Sequence, residues 1–229
     1  HIRETTIMID EAVKRDEPVL LEGAQGTMLD PDFGTYPYVT SSSPLAGNAS
    51  VGSGIGPTRI NAVLGIFKAY ITRVGAGPFP TELKDKTGEL IRERGAEYGA
   101  TTGRPRSCGW FDAVAARFST RVNGFTGAAI TRLDVLDAFP KLKICIGYKL
   151  GNKTINDFPA SLAILEKCRP IYEEMPGWQT SLNDIRKFEK LPREARQYVT
   201  RLEELIGCPV DIVSVGARRE QTIEVKPVL

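Results

Sequence analysis

Histidine is nearly missing from this chain of 229 residues; the only one is His1. Its place at the first position suits a cloning or truncation remnant better than a catalyst. Serine–histidine and cysteine–histidine nucleophile arrangements are thereby excluded. The four cysteines, Cys108, Cys145, Cys168 and Cys208, form no C-x-x-C pair, which argues against zinc and for reduced thiols in a cytosolic protein. No apolar run approaches the roughly 20 residues of a membrane span, and the first residues lack the apolar core of a secretion signal. A formal net charge of +2 with dispersed arginines gives no case for nucleic acid. No G-x-x-x-x-G-K loop is present either, so the usual backbone cradle for a triphosphate is not in this stretch of sequence. Internal repeats, low-complexity segments and linkers are also lacking. With 41% hydrophobic and 25% charged residues, the composition is that of one ordinary globular domain, 1–229.

What is present centres on Glu22 to Ser43, EGAQGTMLDPDFGTYPYVTSSS. A short apolar run, Pro18 to Glu22, precedes it and reads as a buried strand. Gly23, Gly26 and Gly34 permit close approach to the main chain. The Gln25 amide donates and accepts together, which suits the edge of a base. Pro31 and Pro37 stiffen the loop, and Thr40 to Ser43 bring hydroxyls and amides of the kind that hold phosphate. A connecting loop rarely concentrates so many special residues, and long irregular loops in compact domains are usually functional.

Elsewhere the pattern alternates strands and helices. Residues 3–16 read as an amphipathic helix, and Gly47 to Pro57 as a flexible glycine-rich connector. The spacing of Ile60, Val63, Leu64 and Phe67 predicts a helix from Pro57 to Tyr70. A short strand begins near Thr72, and residues 87–97 read as a helix whose charges form a solvated face. Further helices are expected over 110–122, 159–168 and 192–206, the last stopped by Gly207. Strands are expected over 128–136, 142–150, 211–216 and 221–225. The fold class that follows is α/β, with a mainly parallel central sheet and flanking helices.

Two further groups carry chemistry. Ala100-Thr101-Thr102-Gly103-Arg104-Pro105-Arg106 places two hydroxyls, a permissive glycine and two guanidinium groups within seven residues. Such a set suits a clamp on a carboxylate or phosphate, arginine being the side chain for paired hydrogen bonds to either. A plain surface loop is the competing reading. Thr131-Arg132-Leu133-Asp134 sits at the end of an expected strand, where ligands gather in open α/β sheets. An aspartate there can accept from N1 and N2 of guanine together, and a neighbouring cation can lie over the base; alternatively it caps the next turn. Asp30, Asp32 and Asp137 are better suited to capping turns than to binding metal.

Taken together, these motifs resemble adenylosuccinate synthetases. The likeness runs from the opening loop through KAYITRVGAGPFPTEL (68–83), GATTGRPR (99–106), TRLDVLD (131–137), MPGW (175–178) and Ser214-Val215-Gly216. The resemblance implies a synthetase fold related to phosphate-loop nucleotidases and present only in part. It also implies GTP-dependent joining of IMP and L-aspartate. In that chemistry a base removes the N1 proton of IMP, the γ-phosphate passes to O6, and the aspartate amine then displaces phosphate. By the same likeness Gln25, Thr40 and Val74 face IMP. Ala100, Thr101, Thr102, Gly103, Arg104 and Arg106 hold L-aspartate, with Arg104 also reaching IMP. Arg132, Leu133, Asp134, Ser214, Val215 and Gly216 meet the guanine of GTP, and Arg106 joins the GTP contacts. Pro105 replaces an arginine, and Arg132 a lysine, that many relatives carry. The base, the magnesium ligands, a catalytic histidine and the phosphate loop are implied to lie in an N-terminal half, leaving no catalytic or metal residue here. A cytoplasmic homodimer is implied for the complete enzyme. The alternative is a non-catalytic nucleotide-binding module derived from it.

Overall fold

The computed structural model describes residues 3–99 and 103–227. Its elements run α1 (Thr5–Lys14), α2 (Gly47–Ser53), β1 (Leu64–Lys68), β2 (Ile71–Arg73), α3 (Lys86–Arg94), β3 (Ser107–Gly109), β4 (Phe111–Asp112), α4 (Ala113–Asn123) and β5 (Gly127–Thr131). They continue as β6 (Lys141–Leu150), β7 (Lys153–Ile155), α5 (Leu162–Leu165), β8 (Arg169–Pro176), α6 (Arg193–Ile206), β9 (Val210–Ser214) and β10 (Thr222–Glu224).

The central sheet has the order β1-β5-β9-β10, with β1, β5 and β9 parallel and β10 antiparallel at one edge. A second sheet is built on the long β6, paired in parallel with β4 and antiparallel with β7 and β8. The expected α/β class with a mainly parallel central sheet is therefore observed. Parallel strands are buried on both faces, and β5 shows it in Gly127 to Ile130, all buried. At the other edge of the central sheet, β1 has no further strand beside it among the described residues, and Ile66 is 66% exposed.

Helix α6 buries Ala195, Tyr198, Val199, Leu202 and Ile206 at helical spacing, and Gly207 ends it with a left-handed φ of 75°. The Tyr198 hydroxyl donates to the Ala69 carbonyl at 2.7 Å, which fixes the helix against the C-terminal end of β1.

Several local expectations give way. Pro18 to Glu22 is not a strand, and Leu20 is 90% exposed. The expected helix over 57–70 is a 3₁₀ turn at Pro57–Arg59 followed by β1. Apolar period alone cannot separate the two for a short run. Gly65 decides for the strand: a Cβ there would meet the Phe125 ring at 2.5 Å, and Phe67 packs edge-on to the same ring at 5.7 Å. The glycine-rich connector contains α2. The strand expected over 128–136 stops at Thr131 and passes into a 3₁₀ segment, Leu133–Ala138. Only Leu162–Leu165 of the expected 159–168 helix is helical, and β8 was not expected at all.

Asp112 caps α4 from a fully buried position, accepting from the N–H groups of Val114 and Ala115 at 3.0 and 3.1 Å. The Tyr148 hydroxyl donates to its other oxygen at 2.6 Å. Burial pushes this carboxyl up to about 6, against those three hydrogen bonds. The folded chain therefore keeps a proton that the unfolded chain loses near pH ~4. That stabilisation is full below the unfolded value and is lost as pH rises through about 6, a loss of about 3 kcal/mol. Asp112→Asn keeps an acceptor for the helix end and leaves its amide facing Tyr148, whose hydroxyl can accept. Urea unfolding at pH 4.5 and 7 (~ values spanning the shift) should show the wild-type loss reduced in the variant; an identical change in both proteins would refute this.

Candidate functional site

The opening loop is built around Asp30, which is fully buried. Its carboxylate accepts from the N–H groups of Asp32 and Phe33, both at 2.9 Å, and from the Ser43 hydroxyl. Burial alone would raise the Asp30 pKa, but these three bonds together hold it below the usual value. Asp30 is thus a turn capper, as the sequence suggested. At Gly34 a Cβ would sit 2.4 Å from the Met28 carbonyl, so only glycine allows the loop to fold back this tightly.

This frame brings the two expected IMP contacts together. The Gln25 amide donates to Thr40 Oγ1 at 2.9 Å, and the Ser42 hydroxyl donates to Gln25 Oε1 at 3.3 Å. Gln25 sits in the left-handed region at φ 69°. Arg73 ties the loop to β2, donating through Nη2 to Thr35 Oγ1 at 3.1 Å and to the Tyr38 carbonyl at 3.2 Å. The next residue, Val74, is 61% exposed, so it is a surface group and not core. Asn123, the last residue of α4, donates to Thr27 Oγ1 at 3.0 Å and accepts from the Ala46 N–H at 2.8 Å.

Arg104 and Arg106 lie on the loop that leads into β3. Ala100, Thr101 and Thr102 fall outside the described residues. Gly103 adopts φ 64° and donates to the Gly99 carbonyl at 2.8 Å, while the Gly99 N–H returns to the Arg104 carbonyl at 2.9 Å. Arg73 pairs with Ser107 at the end of the β2–β3 ladder, where the chain continues into Val74 on one strand and comes from Arg106 on the other.

Arg106 is held by a residue the sequence reading passed over. Glu97, 1% exposed, follows α3 and was expected on a solvated face. Its Oε2 accepts from Arg106 Nη1 at 2.8 Å; its Oε1 accepts from Lys68 Nζ at 2.7 Å and from the Tyr70 hydroxyl at 2.6 Å. Burial opposes the charge, yet the bonds from Lys68, Tyr70 and Arg106 outweigh it and keep Glu97 below the usual carboxylate range. Lys68 ends β1 and donates also to Thr72 Oγ1 at 2.8 Å. Nothing local distinguishes Glu97 from Glu89 or Glu93; only Ile91, buried on the same helix, hinted that part of this segment faces inward.

The third group forms at the C-terminal ends of β5 and β9, which are adjacent and parallel. Arg132 turns the chain there at φ 63°, and its N–H donates to Ser214 Oγ at 3.1 Å. Its guanidinium donates to the Gly95 carbonyl at the end of α3. Leu133 is buried beneath, and Asp134 is half-buried in the following 3₁₀ segment. Burial pushes the Asp134 carboxyl up, with Arg132 and Arg94 pulling the other way. Arg94 braces its main chain, donating to the Asp134 and Val135 carbonyls at 3.0 and 2.9 Å. No other side chain donates to the Asp134 carboxylate among the described residues. Val215 and Gly216 follow Ser214 directly in the chain, and the Val215 N–H donates to the Gln221 carbonyl at 2.9 Å. Asp137 is spent on structure, accepting from Trp178 Nε1 at 2.7 Å and the Leu182 N–H at 3.1 Å.

The profile of the adenylosuccinate synthetase family matches residues 1–223. The chain belongs to that family. It is 57% identical over 226 residues to the adenylosuccinate synthetase of Geotalea uraniireducens, an alignment covering 99% of this chain and 52% of that protein. The protein of the same name from Heliobacterium modesticaldum is 58% identical over 224 residues, covering 98% and 52%. The chain thus spans about half the length of the curated relatives it matches. Among solved structures, fully ligated adenylosuccinate synthetase from Plasmodium falciparum superposes with a TM-score of 0.95 at 36% identity, covering 98% of this chain and 54% of that one. A succinoaminodeoxyadenylate synthetase of cyanophage S-2L shares the fold, at TM-score 0.58 and 18% identity, over 97% and 50%.

Proposed function

We propose that this chain is a working portion of an adenylosuccinate synthetase, a ligase of purine nucleotide synthesis that joins IMP and L-aspartate at the expense of GTP. The observation that carries the reading is the turn shared by β5 and β9. It fixes Arg132 on Ser214 and, among the described residues, leaves the half-buried Asp134 carboxylate without a side-chain donor. Two acceptor oxygens in a protected site match the adjacent N1–H and N2–H of guanine, and adenine cannot offer that pair. Arg132, Leu133, Asp134, Ser214, Val215 and Gly216 are assigned to guanine, with Arg106 reaching toward the rest of the nucleotide.

Gln25, Thr40 and Val74 are assigned to IMP. The amide of Gln25 meets the base edge and the hydroxyl of Thr40 the phosphate; their mutual bond pre-sets both. The clamp of Ala100 to Gly103, Arg104 and Arg106 takes L-aspartate, its guanidinium groups neutralising the carboxylates and aiming the amine at the purine. These residues bind and orient. None is positioned by its chemistry to remove the N1 proton, so that step is assigned to sequence outside this stretch, together with the cradle for the triphosphate.

Magnesium would supply charge stabilisation during phosphoryl transfer. The residues present do not fit it. Among the described residues no group of three or more His, Cys, Asp or Glu gathers, and Asp30, Asp112 and Asp137 are committed to caps and hydrogen bonds. No described helix is long and apolar enough to cross a membrane. A cytoplasmic homodimer, with 1–229 as part of one domain, completes the proposal.

The test is turnover. The full-length gene product carrying this sequence should form adenylosuccinate from IMP, L-aspartate and GTP, and the 229-residue chain alone should form none. Turnover by the chain alone would overturn the division of labour, and none by the gene product would overturn the synthetase reading.

A further inference from the structure

The substrate assignments leave unused the buried acid beside Arg106, Glu97. We propose that Glu97 is the positioning residue of the carboxylate clamp: it grips Arg106 by one terminal nitrogen and so presents the remaining guanidinium donors to the L-aspartate carboxylate. This rests on the reading of residues 100–106 as that clamp.

Three observations support it. Glu97 bonds Arg106 through Oε2 only, while Oε1 is taken up by Lys68 and Tyr70, so each oxygen has a separate task. Arg106 Nε is buried and finds no acceptor among the described residues. A buried donor left unpaired is uncommon in a folded protein, and a ligand carboxylate is the acceptor it lacks. Finally, hydrogen bonds brace the main chain around Glu97. Arg92 Nε donates to the Arg106 carbonyl at 2.8 Å, the Arg106 N–H donates to the Glu97 carbonyl at 2.9 Å, and Arg132 holds Gly95 two residues away. Arginine has several rotamers of similar energy, so an unheld Arg106 would spend little time in the binding pose. A fixed ion pair removes that freedom before the substrate arrives.

Glu97 touches no substrate in this scheme, so its effect must be selective. In the full-length gene product, Glu97→Gln should raise the KM for L-aspartate about tenfold, the scale of one charge-assisted hydrogen bond. At saturating aspartate, kcat and the KM for IMP, to which Arg106 is not assigned, should move by less than about twofold. Arg106→Leu is the reference and should raise the same KM at least as far. A milder variant, Tyr70→Phe, removes one donor from Oε1 while leaving both ion pairs; it should raise the aspartate KM by about two- to threefold. That variant decides the matter if Glu97→Gln does not fold. If Arg106→Leu raises the aspartate KM but the Glu97 and Tyr70 variants do not, Glu97 is only a structural counter-ion and the inference falls. If Arg106→Leu itself leaves that KM unchanged, the clamp reading falls with it. Loss of kcat and thermal stability without a selective change for aspartate would also overturn the positioning role.

Discussion

Asparagine at position 134 is expected to collapse the preference for guanine. In the proposed guanine site the carboxylate of Asp134 would offer two acceptors to two adjacent N–H donors of the base. Asparagine keeps one acceptor and places an N–H₂ against the second donor, which leaves two donors facing each other in a half-buried turn. A site built to hydrogen-bond its ligand loses far more from such a mismatch than from a missing methylene. We expect kcat/KM for GTP in the full-length gene product to fall by about a hundredfold, near 2.7 kcal/mol. The value for ATP should change little, so the ratio of the two is the measurement. Arg94 braces this turn through main-chain carbonyls only, so the substitution should leave the backbone in place. If GTP stays favoured over ATP by the same factor, guanine is read elsewhere.

The other large effect is expected at Arg104. Replacing it with leucine removes a planar donor fork from the proposed clamp and leaves a shorter apolar side chain. The KM values for L-aspartate and IMP should both rise, by about ten- to a hundredfold. A rise in both marks Arg104 as the shared contact; a rise for aspartate alone would leave the IMP assignment unsupported. Unchanged kinetics for both substrates would remove Arg104 from the site. The Gly99 N–H bonds the main-chain carbonyl of Arg104, which the change keeps, so this part of the loop's frame should survive.

Acid conditions separate the carboxylates further. Asp30 and Glu97 have lowered values, so their stabilisation is present above the ordinary carboxylate range and is lost as pH falls through their folded values. Asp112 runs the opposite way. The Asp30 and Glu97 losses fall below the ordinary carboxylate value and the Asp112 loss above it, so unfolding measured from mildly acid to neutral pH reads Asp112.

Legibility in sequence followed locality. The opening loop could be read because its devices act within a few residues: Asp30 caps Asp32 and Phe33, and Gly34 makes room for Met28 six residues back. Helix α6 was legible for the same reason, its buried stripe and terminal Gly207 being written in one continuous segment. Strand β1 was not, since Leu64 to Lys68 becomes a strand only by pairing with Gly127 to Thr131, more than sixty positions on. Strand β8 escaped because charges and two prolines disguise it. Its order comes from an eight-residue ladder to β6 that no local pattern announces.

The candidate site divides along the same line. By itself the sequence determined the family, the α/β class and the residue types that can meet a base, a dicarboxylate and a phosphate. These follow from short motifs whose chemistry travels with them. Only the tertiary structure decided that Glu97 is a buried anchor and not one more solvated acid. Its partners Lys68 and Tyr70 stand on or beside β1, and Arg106 stands before β3. A charge is worth little on a surface and much in a closed pocket. Whether a given acid is in one or the other depends on which strands close over it, and that is set by pairings far apart in the chain.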